Sequence, residues 1–281
     1  MSKVDLHLHS DYSDGSDSVA KLAEEIKKAE IKIFALTDHD TTAGCLEMQN
    51  CMKDSGITFI KGIELTCKEQ TVKCHILGFN CDINNDTLKK LILKGKTLRR
   101  IKLDTRVKYL KDVWNIELTK EERDWLYSRH SVVKTHIANV LVKRNLAKDN
   151  LSAMRKYLDG CKAGDTRFEG AEAINAIKAS GGIPIWAHPL GGEGETHIAP
   201  KEFYKRFEIL KAAGIQGLEC HYSRYSKDEI KFLLNFAKEN NLLISGGSDY
   251  HGSNKDIPLA KLNKENTYVD SSELTILKKI L

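Results

Sequence analysis

Seven short apolar runs read as strands: Lys3–His9, Lys32–Thr37, Thr58–Leu65, Cys74–Phe79, Ile183–Ala187, Gly217–Cys220 and Leu242–Ser245. Amphipathic stretches separate several of them. Val19–Glu30 sets Leu22, Ala23, Ile26 and Ala29 at helical spacing, with Ser16 or Asp17 as the cap. Glu172–Ser180, Lys201–Ala213 and Lys227–Asn240 read the same way, and Gly181-Gly182 and Gly214 mark two helix ends. Such alternation buries its strands best as a parallel sheet covered by helices, and 281 residues suffice for one barrel. The expected fold class is therefore α/β, a barrel.

Residues 84–164 break the alternation. Runs around Leu88–Trp114, Lys120–Ser128, Lys134–Asn145 and Ala153–Leu158 all read as helix. We expect a barrel from 1–83 and 165–281 and a helical insertion, a substrate cap, at 84–164. The insertion holds 20 Lys/Arg against 9 Asp/Glu, a net +11 in a chain whose total is +5. A basic module on an acidic body suits a polyanionic substrate, although a solvated helical face would look the same.

The chain is 30% charged and 41% hydrophobic, a globular balance. Its apolar runs fall short of the ~20 residues that a membrane span needs. The start, MSKVDLHLHS, has no apolar signal region, so a cytoplasmic location without a membrane partner or obligate protein partner is expected. The seven cysteines are odd in number and form no C-x-x-C pair, which favours reduced core thiols over zinc ligands or disulfides.

Histidines and carboxylates gather at the strand ends. His7 and His9 share one face of the first strand. The second ends in Thr37-Asp38-His39-Asp40, the third carries Glu64 and the fourth His75. Ile183–Ala187 runs into His188, and the last strand into Ser248-Asp249-Tyr250-His251-Gly252. Asp14 follows the first strand closely. In a parallel barrel these positions meet at the C-terminal mouth. A single strand-end histidine reads as hydrogen-bonded structure. Nine such groups together are too many to pack unpaired, and bound cations resolve the conflict. The mixed donor set suits Zn²⁺, Mn²⁺ or Fe²⁺ better than Ca²⁺ or Mg²⁺, and nine ligands fit two or three ions. Clustered ions of this kind activate water for phosphoryl displacement.

These motifs, His7-Leu8-His9, Ser13-Asp14-Gly15, Thr37-Asp38-His39-Asp40, Glu64, His75, Ala187-His188-Pro189 and Ser248–Gly252, resemble those of the polymerase-and-histidinol-phosphatase (PHP) family and keep its order. The resemblance implies a distorted (β/α)7 barrel and a trinuclear site holding divalent ions, Mn²⁺ ahead of Fe²⁺ or Zn²⁺. One ion would take His7, His9, Glu64 and Asp249; a second Asp14, His39 and His251; a third Glu64, His75 and His188, with Glu64 bridging. It further implies hydrolysis by a metal-activated hydroxide. Size and layout are closest to the free-standing members that act on nucleotides, whose insertion carries an Arg-x-His-like substrate motif. Lys134-Thr135-His136 matches it with lysine for arginine, which keeps the charge but loses the bidentate fork.

Lys134 and His136 are thus candidate substrate contacts for a nucleotide or short oligonucleotide. Arg99, Lys102 and Arg106 share a helical face of the insertion, and Arg99 joins the candidates. His221 and Arg224, with Tyr222, follow the strand Gly217–Cys220 and add two more. His130 and His197 have no motif context and are expected in surface or loop. Histidinol phosphate phosphatase is the nearest rival reading, and it needs no basic insertion. An amidohydrolase would call for a strand-end lysine, and none is obvious. A degenerate, non-catalytic metal-binding module would have lost ligands, whereas all nine positions here remain competent.

Overall fold

The structure, a computed structural model, describes residues 2–164, 167–193 and 195–281, so the first two residues of the expected second barrel segment lie outside it. The chain starts with β1 (Val4–Leu8), α1 (Val19–Lys28), β2 (Ile33–Leu36), α2 (Gly44–Cys51), β3 (Thr58–Glu69) and β4 (Val72–Phe79). Helices α3 (Asp86–Trp114), α4 (Lys120–Ser128), α5 (Lys134–Lys143) and α6 (Asn150–Ala153) follow, the last running into a π-turn at Met154–Leu158. A short β5 (Phe168–Glu169) leads to α7 (Gly170–Ala179), β6 (Ile183–Trp186), α8 (Pro200–Ala213), β7 (Gly217–Tyr222), α9 (Lys227–Glu239), β8 (Leu243–Gly247) and α10 (Leu277–Ile280).

Seven strands form a nearly closed barrel in the order β1-β2-β3-β4-β6-β7-β8, with β5 paired to the far end of β3. Closure comes from β8 meeting β1: Asp249 N–H donates to the His7 carbonyl at 2.9 Å, and His9 N–H to that of Tyr250 at 3.0 Å. The seam is tight enough to need Gly247, where a Cβ would stand 2.2 Å from that of His7.

The all-parallel expectation fails at one strand. β4 runs antiparallel to both β3 and β6. Only Gln70 and Thr71 separate β3 from β4, and two residues can close a hairpin but cannot make a parallel crossover. Reversal delivers the chain to the barrel's opposite end. The 29-residue α3, ~44 Å long at 1.5 Å per residue, then carries it back past the mouth. Its first half lies on the barrel, where Gly95 packs against the Phe168 ring so closely that a Cβ would stand 2.4 Å away. Its second half supplies Leu103 and Leu110 to a separate apolar cluster with Leu118, Leu126, Ile137 and Leu141 of the following helices.

Local chemistry accounts for the helix limits. Val19, Leu22, Ala23 and Ile26 of α1 are buried, and Ser18, rather than Ser16 or Asp17, caps it by accepting from Lys21 N–H. α9 has a full capping box between Ser226 and Glu229. α8 stops at Gly214 in the left-handed conformation. The cysteines are all free thiols, five of them buried. Among the described residues no helix is long and apolar enough to cross a membrane.

The largest apolar cluster joins β3, β4 and β7 to α7, α8 and α9. At its centre Phe203 is fully buried, stacked on Trp186 at 5.4 Å and edge-on to Phe236 at 4.9 Å. Phe203→Ala should lower unfolding stability by ~3–5 kcal/mol through the cavity it leaves. Urea denaturation measures this, and a loss under ~1 kcal/mol would show that the site collapses freely.

Candidate metal centre

The reversal of β4 places His75, early in its strand, opposite Thr66 and beside the mouth. β3 runs on to Glu69, so Glu64 sits buried in mid-strand. Three mouth residues, Asp40, His188 and Asp249, have positive φ values of 53°, 30° and 62°, which turns the chain sharply as it leaves its strands.

All nine candidate ligands converge. Glu64 Oε2 lies 3.1 Å from both His7 Nε2 and His9 Nε2 and 3.2 Å from His39 Nδ1. Its Oε1 lies 2.9 Å from His75 Nδ1 and 3.3 Å from His188 Nε2. Asp249 Oδ1 stands 3.3 Å from His9 Nε2, 3.6 Å from His7 Nε2 and 3.4 Å from His251 Nδ1. Asp14 Oδ1 is 3.1 Å from His251 Nε2, and its Oδ2 3.8 Å from His39 Nε2. Three overlapping sets have donor atoms within 4.8 Å of one another: His7, His9, Glu64 and Asp249; His9, Asp14, His39 and His251; and His39, Glu64 and His75.

The donors fit cations. His9 Nε2, His39 Nδ1, His75 Nδ1, His251 Nε2 and Asp14 Oδ1 are buried with no hydrogen-bond partner among the described residues. Five orphaned polar atoms facing one space are costly unless something charged meets them. Burial opposes ionisation of Glu64, yet His39, His7 and His75 hold its carboxyl well below the usual range. Burial likewise opposes charge on Asp249 and Asp14; Lys255 and His251 outweigh it at the first, His251 and His39 at the second. Burial also disfavours the charged form of His39 and His251.

Supporting residues orient these groups. Glu219, fully buried on β7, places Oε1 2.8 Å from His7 Nδ1 while Oε2 accepts from His188 N–H at 2.8 Å. It thereby turns His7 Nε2 toward Glu64. Asp38 accepts from Ser10 N–H, Ser10 Oγ and Ser13 Oγ, which fixes the loop bearing Asp14. Asp249 Oδ2 accepts from Tyr222 Oη at 3.0 Å and Lys255 Nζ at 2.7 Å. Sequence reasoning missed Glu219 and Lys255. A carboxylate inside the apolar run Gly217–Cys220 was a usable signal for Glu219; Lys255 had none.

The expected substrate contacts scatter. Arg99 Nε donates to Asp40 Oδ2 at 2.7 Å, and its other nitrogens to Thr66 Oγ1 and the Val132 carbonyl, so it joins the helical segment to the barrel. Lys134 pairs with Asp159. His136 is 5% exposed and its Nδ1 accepts from Val133 N–H. Its Nδ1 is thereby engaged within the helical segment itself, at the start of α5. His221 lies within β7, which runs two residues further than expected. It is 3% exposed with Nε2 3.9 Å from Glu273, and it does not reach the cluster. Arg224 pairs with Glu193 and the Asp256 carbonyl at the rim. His130 is exposed against Tyr12, and His197 is exposed near Glu229.

Two outcomes follow. Glu219→Gln should weaken divalent-metal affinity ~10–100-fold, read by chelator competition; unchanged affinity would remove Glu219 from the site. Burial lowers His136 from 6.5 to about 4. Between those values the unfolded chain takes up a proton that the folded chain refuses, so up to ~3 kcal/mol of stability, present above pH 6.5, is lost as pH falls toward 4. In chelator, the urea-midpoint advantage of wild type over His136→Gln should shrink across that window; parallel profiles would contradict a neutral, buried His136.

Comparison with known proteins agrees with this geometry. The PHP domain model matches residues 5–169, more than half of the chain. A 5′-3′ exoribonuclease of Haemophilus influenzae is 31% identical over 255 residues, covering 89% of this chain and 90% of that protein. A 3′,5′-nucleoside bisphosphate phosphatase of Chromobacterium violaceum is 28% identical, covering 89% and 88%. A solved structure from Bifidobacterium adolescentis shares the fold, with a TM-score of 0.83 at 24% identity over 100% of this chain and 96% of that one. The chain belongs to the PHP family and is a metal-dependent phosphoesterase.

Proposed function

We propose that this phosphoesterase acts on phosphomonoesters of nucleotides, such as nucleoside 3′,5′-bisphosphates, or on short oligonucleotides. The centre would hold three divalent ions, Mn²⁺ foremost, on His7, His9, Asp14, His39, Glu64, His75, His188, Asp249 and His251. Bound there, the ions supply water activation and charge neutralisation. The helical segment 84–164 serves as the substrate cap.

One observation carries the nucleotide reading. A cleft of about 110 Å³ opens between barrel and cap, lined by Arg99, Lys102, Arg106, Lys134 and Arg167 together with Asp40 and Thr66. Asp40 follows His39 in sequence, and Thr66 pairs with His75, so the cleft adjoins the cluster. Five cationic side chains around so small a space suit a second phosphate. The relative named as a 3′,5′-nucleoside bisphosphate phosphatase acts, by that name, on a substrate that carries one. A simple monoester needs only the cluster.

Losing one charge-assisted contact costs ~1.5–3 kcal/mol. Arg106→Ala and Lys134→Ala should therefore each lower kcat/KM for a nucleoside 3′,5′-bisphosphate by ~10–100-fold, while p-nitrophenyl phosphate turnover stays within ~3-fold. Equal losses on both substrates would assign these residues to fold or metal support, and no loss on either would leave the cleft without a role. Protein purified without chelator and supplied with Mn²⁺ should carry more than one metal per chain by elemental analysis. A value at or below one would defeat the multinuclear centre.

A further inference from the structure

Lys255 lies outside every motif, yet its side chain enters the metal cluster. Its Nζ is 2.7 Å from Asp249 Oδ2, and Asp249 Oδ1 faces the imidazoles of His7, His9 and His251. The side chain is only 25% exposed. It lines the small central cavity of about 50 Å³ with His39, Glu64, His75, His188 and Asp249, and it is the one ammonium on that wall among the described residues.

The same side chain also lines a second space. An open groove of about 510 Å³ runs outward over Gly252–Pro258, bordered by Arg224 and Asn266. Lys255 is therefore the partition between cluster and groove. The central cavity admits a phosphoryl group and little more, so the rest of any ester must leave through a neighbouring space. The basic cleft, at about 110 Å³, has room for a second phosphate but not for the nucleoside that carries it, whereas the groove falls within the usual ~300–1,000 Å³ of ligand pockets.

We infer that Lys255 is a catalytic residue on the leaving-group side, its ammonium contacting the ester oxygen of the scissile phosphate while the groove receives the departing group. The inference rests on the phosphoesterase reading. In hydrolysis the water oxygen bonds to phosphorus. The P–O ester bond breaks with its electron pair going to the leaving oxygen, and a proton from the water ends on that oxygen. Negative charge on the leaving oxygen grows as the bond stretches, and a fixed positive charge within contact distance stabilises that stage more than the ground state. Tyr222 Oη also holds Asp249 Oδ2, so the carboxylate keeps an anchor when lysine is absent.

A series of aryl phosphates from p-nitrophenyl to phenyl phosphate tests this, in wild type, Lys255→Met and Lys255→Arg, with bound Mn²⁺ measured for each. A fixed charge matters most for poor leaving groups. Lys255→Met should therefore lose on the order of 100-fold in kcat on phenyl phosphate but only a few-fold on p-nitrophenyl phosphate, with metal content unchanged. Its plot of log kcat against leaving-group pKa should be steeper than that of wild type, and Lys255→Arg should recover most of the loss. Equal losses across the series, or loss of metal, would make Lys255 a mere support for Asp249 and overturn the inference; so would no loss at all. The nucleotide reading can fail in the bisphosphate comparison while this slope change stands. Absence of turnover for every ester by Mn²⁺-loaded wild type would sink the phosphoesterase reading and the inference with it.

Discussion

The Glu64 carboxylate is buried in mid-barrel and meets five imidazoles, three on one oxygen and two on the other. A lone carboxylate there would protonate or disrupt the core, and five clustered imidazoles without an anion would repel whenever protonated. Each half makes the other tolerable. The four strands and loops that bring His7, His9, His39, His75 and His188 to it are thereby tied to one point. The orphaned atoms left over, including His251 Nε2 and Asp14 Oδ1, show that the protein's own groups do not balance the site completely. Bound cations would complete it.

A second constraint acts through chain direction. The hairpin at residues 70–71 reverses β4 and thereby both brings His75 to the mouth and sends the chain to the far end. The long α3 returns it, so the helical segment overhangs the cluster. Arg99, on Asp40 and Thr66, then holds this segment to the chain around His39 and Glu64. Of the two residues that resemble a substrate motif, His136 is buried against Val133 and Lys134 lines the cleft.

Much of the site was legible because ligands occupy local positions that sequence marks clearly. His7 and His9 are two apart on a strand, His39 and His188 close strands, and Asp249 and His251 flank one turn. Strand–helix alternation gave the barrel class, and Lys120–Ser128 was read with its observed limits. The direction of β4 was readable too, since eight residues between Leu65 and Cys74 leave no room for a crossover, but the repeated pattern around it favoured the parallel reading. His221 was misplaced because β7 continues through a bulge that turns its ring toward Glu273.

By itself the sequence determined the strand and helix periods, the basic character of residues 84–164 and the nine metal-competent side chains, because each depends on residue identity and short spacing. Only the tertiary structure decided which groups face which. Glu219 beneath His7, Lys255 on Asp249 and Arg99 on Asp40 join residues 212, 6 and 59 positions apart. The first pairing exists only once the barrel has closed, and the last only once α3 has docked beside β2. The middle one, short as it is, depends on the loop after β8 folding back over the mouth. Periodicity carries no information about such contacts, since burial, charge and hydrogen bonding act between neighbours in space.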